Sequence, residues 1–369
     1  MDLVLESATD SIDTIEIELA REDDNIELPP SDIVAYNELR SCAELYRLHI
    51  TGQLDIQPEF QREIVWNLAA QTRFIDSLIK QLPIPSLCIS LDYRTDKRLV
   101  IDGLQRIQSI INFLDEENDW QLADIEDIDT RISGKLVSEI KRTVPMLFTR
   151  VQNTSLPITI LRCNYSKESH INYLFTIFHR LNSGGSRLNN QEIRNAIFSG
   201  PFNNFLKKLN TNENWQIVAN IKTDKSYRFL KEELLLRFFA FYERQATYSG
   251  RLAKFLNKYM FDNRNLYAHQ LDTKKQLFEE TINLIFEKIA NRDVLTKTSN
   301  AILEALLVGV ATNLDYLKNL DASYVKQLYE QMLNQDAFSE ANLKSGLSGT
   351  EKVNSRLNTA KQIFSSQNG

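Results

Sequence analysis

The chain has 369 residues, a length that suits two or three domains. Its 43 basic and 49 acidic side chains leave a net charge of −6, and 43% hydrophobic with 25% charged residues is an ordinary globular composition. No apolar run nears the ~18 residues of a membrane span, since residues 301–311 are broken by Glu304, and the acidic N-terminus argues against a secretory or transit leader.

Charge is unevenly spread. Residues 1–32 hold eleven acids against the single base Arg21, so they carry −10 and the remainder +4. This acidic tail reads either as a solvated extension or as a shield over a basic surface. After Pro29-Pro30, helical text is expected to begin at Ser31-Asp32 and to run toward Gly52, with a loop at Gln57-Pro58. Asn67 is placed to cap a helix carrying Phe74, Ile75, Leu78, Ile79 and Leu82 at 3.6-residue spacing, and Pro83 and Pro85 stop it. Residues 86–91 and 98–101 read as two strands around the turn Tyr93-Arg94-Thr95-Asp96. Ile107, Ile110, Ile111 and Leu114 restore helical period. Residues 115–129, with eight acids and no base, read as a surface segment with the composition of a lid. Residues 157–161 form another expected strand, and Ile171, Leu174, Phe175, Phe178 and Leu181 mark an amphipathic helix. From about residue 190 the pattern is helical throughout, without a fixed repeat. The expected fold is α+β, with a tail over 1–32, an α/β domain over 33–200 and a helical domain over 201–369.

Cys42, Cys88 and Cys163 lie far apart with no Cys-x-x-Cys, which argues against a disulfide framework or thiolate zinc site and for a cytoplasmic chain. The most informative string is Leu99-Val100-Ile101-Asp102-Gly103-Leu104-Gln105-Arg106 at a strand-to-helix junction. A glycine there permits a tight turn, the new helix exposes N–H donors that favour an anion, and Arg106 offers a fork suited to phosphate. Asp102 could hold a metal, orient water or bond a ribose hydroxyl. The same spacing also suits a plain junction with Asp102 paired to Arg106.

Two further strings accompany it: Ile56-Gln57-Pro58-Glu59-Phe60-Gln61-Arg62 before Val65-Trp66, and Phe178-His179-Arg180-Leu181-Asn182-Ser183-Gly184-Gly185 before Leu188-Asn189-Asn190-Gln191-Glu192-Ile193-Arg194. In this order the three strings resemble the N-terminal domain of the GmrSD-type modification-dependent restriction endonucleases, over roughly residues 36–245. That resemblance implies a ParB/sulfiredoxin-like fold. It also implies nucleotide binding and hydrolysis at Asp102, Gly103, Gln105 and Arg106, with Gln61, Arg62, Arg180, Asn182, Gly184 and Gly185 around the nucleotide. Leu104 departs from the family pattern, which has glutamine there. Many multidomain relatives carry a C-terminal His-Asn-His nuclease. This chain has only His49, His170, His179 and His269, so that nuclease is expected to be missing. His179 reads as a solvated or capping residue.

Other signals are weaker. No P-loop or EF-hand spacing is present, and Gly184-Gly185 lacks a dinucleotide fingerprint. Lys222, Lys225, Arg228 and Lys231 read as a solvated helix entry, with nucleic-acid contact as the alternative. The leading expectation is an NTP-binding, NTP-hydrolysing module of an anti-phage system, with Mg²⁺ at Asp102. The alternatives are a DNA-nicking enzyme using the same pocket and a nucleotide-sensing regulator of a separately encoded nuclease. Arg62, Asp102, Arg106, Arg180 and Asn182 are expected to converge on one cleft, their arginines unpaired in the empty protein.

Overall fold

The structure is a computed structural model that describes residues 29–56, 66–181, 189–221, 225–295, 298–344 and 346–366, without the side chains of 225–228. Two compact units divide them, one within Glu27–Leu188 and the other within Asn189–Gly369.

The first unit is built on a five-stranded sheet. Its elements in chain order are β1 (Val34–Ser41), α1 (Cys42–Ile50), β2 (Leu54–Asp55), α2 (Leu68–Ile79), β3 (Leu87–Asp92), β4 (Arg98–Asp102), α3 (Leu104–Leu114), α4 (Val137–Thr143), α5 (Pro145–Asn153), β5 (Ser155–Cys163) and α6 (Glu168–Leu181). The strand order is β1-β5-β3-β4-β2. β5 runs antiparallel to β1 and parallel to β3, and β4 runs antiparallel to β3 and parallel to β2.

The helix expected from residue 31 is a strand over its first half. β1 pairs with β5 from Val34↔Arg162 to Ser41↔Ser155, and helix α1 starts only after Ser41, whose side chain accepts the Glu44 N–H. Arg40 and Glu44 have the i,i+4 spacing of a helical charge pair, and Arg40 bonds Glu38 as well as Glu44. An exposed edge strand, however, shows little apolar alternation, so pairing with β5 decides its state. Asn67 caps α2 as expected, accepting the Ala70 N–H at 2.9 Å.

Sheet parity then builds two layers. Leu87, Ile89, Val100, Leu156, Ile158 and Ile160 face a core filled by Leu45, Ile75, Leu78, Ile107, Ile110 and Phe113 of α1 to α3 and by Phe148 and Val151 of α5. Cys88, Ser90, Leu99, Leu161 and Cys163 point to the opposite face, and α6 packs against β4. The acidic stretch 115–129 is no lid. Leu122 and Ile128 enter the core, with Ile132 just beyond; Thr72 and Asp76 of α2 bind the backbone N–H groups of Ala123 and Asp129. Its acids find partners within the unit, Asp119 in Ser138, Asp127 in Arg73 and Asp129 in Arg131.

The second unit is helical: α7 (Asn190–Ile197), α8 (Pro201–Leu209), α9 (Glu213–Val218), α10 (Lys225–Arg244), α11 (Leu252–Asn263), α12 (Ala268–Leu284), α13 (Asn300–Thr312), α14 (Leu314–Lys318), α15 (Ala322–Leu333), α16 (Glu340–Leu343) and α17 (Thr350–Ile363). The apolar run at 301–311 is a core helix, with every residue of α13 up to Ala311 buried. Gly309 lets α17 approach closely, since a Cβ there would lie 2.9 Å from that of Ala360. No helix among the described residues is long and apolar enough to cross a membrane.

This unit also buries charge. All eight residues of α7 are buried, five of them polar. Arg194 donates to Asn257 and to Glu233; Glu233 also takes Arg237, and Glu304 lies 3.6 Å from Arg237 and 3.8 Å from Arg356. Burial alone would raise the Glu233 carboxyl, but Arg237 and Arg194 overcome it and hold it below its ordinary value. Lys231, expected on a solvated helix entry, is instead 3% exposed and donates to Asn300 at 2.8 Å.

Candidate functional site

The strand-to-helix junction after β4 brings Asp102, Gly103, Gln105 and Arg106 into one turn. A register irregularity prepares it. Ile89 pairs with Val100 but Cys88 pairs with Asp102, so Ile101 is an extra residue on β4. Val100 therefore faces the α1–α5 core while Asp102, two residues on, faces the other way with Cys88. Such bulges re-aim a side chain at a strand end.

Gly103 follows with φ +94° as the N-cap of α3, and no side chain caps this helix end. Two requirements fix glycine here. The left-handed φ disfavours a side chain, and a Cβ would sit 2.2 Å from Leu87 Cδ2 and 3.0 Å from Arg106 Nη2. The first N–H groups of α3 have no acceptor within the helix, as at any helix start.

Arg106 is the third residue of α3, in its first turn. Its Nη2 donates to Asp102 Oδ2 at 2.9 Å and, over 3.4 Å, to the Ser86 carbonyl, while Nη1 donates to the Pro85 carbonyl. The guanidinium thus ties the loop before β3 to the turn. The side chain of Asp102 is 41% exposed and that of Arg106 13%. Burial lowers the Arg106 pKa and the Asp102 carboxylate opposes that shift, which leaves an arginine charged at any working pH. Burial and then the Asp102 charge push the neighbouring Cys88 thiol up to about 12, so no thiolate nucleophile stands beside the carboxylate.

Among the described residues, the arginines expected to stand unpaired in the empty protein are paired. Arg106 holds Asp102, the pairing that the spacing also suited, and Arg180 is not free. Arg180 is exposed in the last turn of α6, the helix that packs against β4. Gln105 is half-exposed on the first turn of α3, and its carbonyl accepts Ser109 Oγ. Gln61, Arg62, Asn182, Gly184 and Gly185 lie outside the described residues, so the cleft they were expected to complete is not on view. Sequence reasoning missed the carbonyls of Pro85 and Ser86, because Pro83 and Pro85 registered only as a helix stop. It also missed the extra residue at Ile101, which an unbroken apolar run conceals.

Far from the turn, β5 leads into α6 through a polar knot. His170, fully buried, accepts the Asn164 N–H on Nδ1 and so presents its Nε2 proton to Asp32 Oδ1 at 2.8 Å, while Lys167 takes Asp32 Oδ2. Lys167 first, then His170, holds the Asp32 carboxyl down to about 2. The last acid of the compositional tail is therefore an anchor.

Residues 43–199 match the family described as GmrSD restriction endonuclease, N-terminal domain. No curated protein and no solved structure matches the chain. The matched segment covers the Asp102–Arg106 turn and all of α6, and it ends after α7 inside the helical unit. It covers less than half of the 369 residues, so the identity it gives is that of a region: residues 43–199 belong to the GmrSD restriction endonuclease N-terminal domain family, a restriction-associated module.

Proposed function

We propose that the Asp102–Arg106 turn is the phosphate-binding element of an NTP-binding and NTP-hydrolysing module, on a ParB/sulfiredoxin-like fold, serving a bacterial restriction or anti-phage system. One observation carries the reading: α3 begins at a left-handed glycine with no side-chain cap, beside a half-exposed carboxylate and a fixed guanidinium. A helix start of this kind offers several N–H donors and a favourable dipole to phosphate. Arg106, held by Pro85 and Asp102, meets an anion without first being ordered.

Chain direction lends support. α6 starts where β5 ends and, at 14 residues, is ~21 Å long, close to the ~20 Å of the six-residue β3. A helix of that length packed on β4 returns toward the Asp102 end and carries Arg180 there. In this reading Gln61, Arg62, Arg180, Asn182, Gly184 and Gly185 surround the nucleotide.

Mg²⁺ fits in one manner. Among the described residues no cluster of three or more His, Cys, Asp or Glu could hold a metal unaided. An ion chelated by phosphate oxygens and water needs only one carboxylate, and Asp102, bonded to Arg106 through Oδ2, has Oδ1 for that role. Bound there, Mg²⁺ would neutralise charge gathering on the transferred phosphoryl group. In this reading Gln105, on the same turn, completes the catalytic set.

Titration calorimetry and phosphate release with the four NTPs and Mg²⁺ test the reading. Asp102→Asn and Arg106→Lys keep side-chain bulk, and each should weaken binding or turnover about tenfold or more in a folded protein. Unchanged NTP affinity in both variants would remove the phosphate role. Mg²⁺-dependent plasmid nicking lost in Asp102→Asn would replace it with a DNA-nicking enzyme at the same turn. Tight binding without phosphate release would make the module a nucleotide-sensing regulator.

A further inference from the structure

We infer that the open half of the sheet face beside Asp102 binds the nucleoside end of the nucleotide; the inference rests on the phosphate reading of the turn and extends it to substrate class. The register supplies the argument. Asn37 of β1 pairs with Thr159 of β5, Thr159 with Cys88 of β3, and Cys88 with Asp102 of β4. Directly paired residues share a face, so these four side chains form one straight row across four strands. The extra residue at Ile101 is what brings Asp102 into it.

Side-chain bonds follow the row. Thr159 Oγ1 donates to Asn37 Oδ1 at 2.9 Å and lies 3.3 Å from Ser86 Oγ, and the Ser86 carbonyl receives Arg106. The row is uncovered at its β1 end, where Asn37 and Ser86 are exposed and Thr159 is half-exposed. Asn37 spends its carbonyl oxygen on Thr159, which points its amide donors away from that bond. Beside it on the same face, one row along, Leu39 pairs with Pro157, and Leu39 is 71% exposed.

A polar row flanked by an apolar strip has the chemistry of a nucleoside seat. A base lays its flat face on Leu39 and Pro157, and the Asn37 amide meets acceptors on its edge. Three inter-strand spacings separate Asp102 from Asn37, or ~14 Å, enough to keep the phosphates on α3 while the nucleoside lies over β5 and β1. A phosphate-only ligand would have no use for this surface.

The test compares inorganic tripolyphosphate with the four NTPs, each with Mg²⁺, by calorimetry on the full chain and on Asn37→Ala and Thr159→Val. The wild type should bind at least one NTP about tenfold more tightly than tripolyphosphate. Each substitution should erase most of that preference and leave tripolyphosphate affinity in place. Asn37→Asp, which keeps size and acceptor but removes the donor, should behave as Asn37→Ala does, and unchanged melting temperatures certify the folds. A preference that survives all three substitutions, or a wild type that binds tripolyphosphate as tightly as any NTP, overturns the inference and spares the phosphate turn. A wild type that binds neither ligand overturns both.

Discussion

Arg106 and Arg194 belong to two of the strings that carry the family resemblance, yet the two units treat them in opposite ways. Arg106 sits at a helix start, bonded to a half-exposed carboxylate and to two carbonyls, with solvent at hand. Arg194 is 1% exposed and held by Glu233 and Asn257 within a layer of buried charge. An arginine in the first setting can exchange a partner for a ligand at small cost. In the second setting, any unpaired charge stays in a medium that punishes it. A shared motif therefore assigns residue types, and burial decides whether they serve chemistry or architecture.

The largest expected effect breaks the buried side of the contrast. Arg194→Ala leaves buried Glu233 with Arg237 alone, takes the donor from Asn257 and opens a cavity, and should destabilise the helical unit by about 3–5 kcal/mol, read from urea denaturation. A loss below about 1 kcal/mol would mean that water reaches the layer and that the two arginines are alike after all.

Gly103→Ala tests the exposed side through its backbone. A side chain at φ +94° with Leu87 Cδ2 at 2.2 Å must displace either the turn or β3, at about 2–3 kcal/mol. Nucleotide binding should fall with it, because the N–H groups of α3 lose their aim. A variant with full stability and full affinity would show that the turn is not tuned.

The smallest effect belongs to the Asp32 anchor, and its sign follows from the lowered carboxyl. With the folded value near 2 and the ordinary one near 4, the anchor's contribution is complete above about pH 4 and fades as the pH falls toward 2. Asp32→Asn should lower the melting temperature at pH 6 and narrow its gap to wild type by pH 2.5. Parallel melting curves over that range would exclude the anchor as a source of acid sensitivity.

These cases also mark what the sequence revealed. The Asn67 cap, the α2 and α3 faces and the Gly103 turn were legible because their signals are local: a capping residue, a 3.6-residue period, a glycine before a helix. β1 was not, since an edge strand with Glu38 and Arg40 on it imitates a charged helix until β5 is beside it. Nor was the burial of Lys231 or of α7, whose polar text is that of a surface and whose partners arrive from residues 233, 257 and 300. The pairing of Asp102 with Arg106 was legible as one of two options, and only distance chose between them.

The extra residue at Ile101 has a consequence for how this strand can change. A regular strand is a two-state counter, in which every odd step faces one side and every even step the other. β4 breaks the count once, so Val100 serves hydrocarbon and Asp102 serves water although both fall on even steps. Deleting one residue before Asp102 restores the count and leaves the carboxylate opposite Cys88, whereas inserting one carries it past Cys88 to the level of Leu87 and onto the hydrocarbon face. Sequences of this family should therefore drift freely in the identity of the apolar residues ahead of the Asp-Gly pair, survive the loss of one of them, and not gain one.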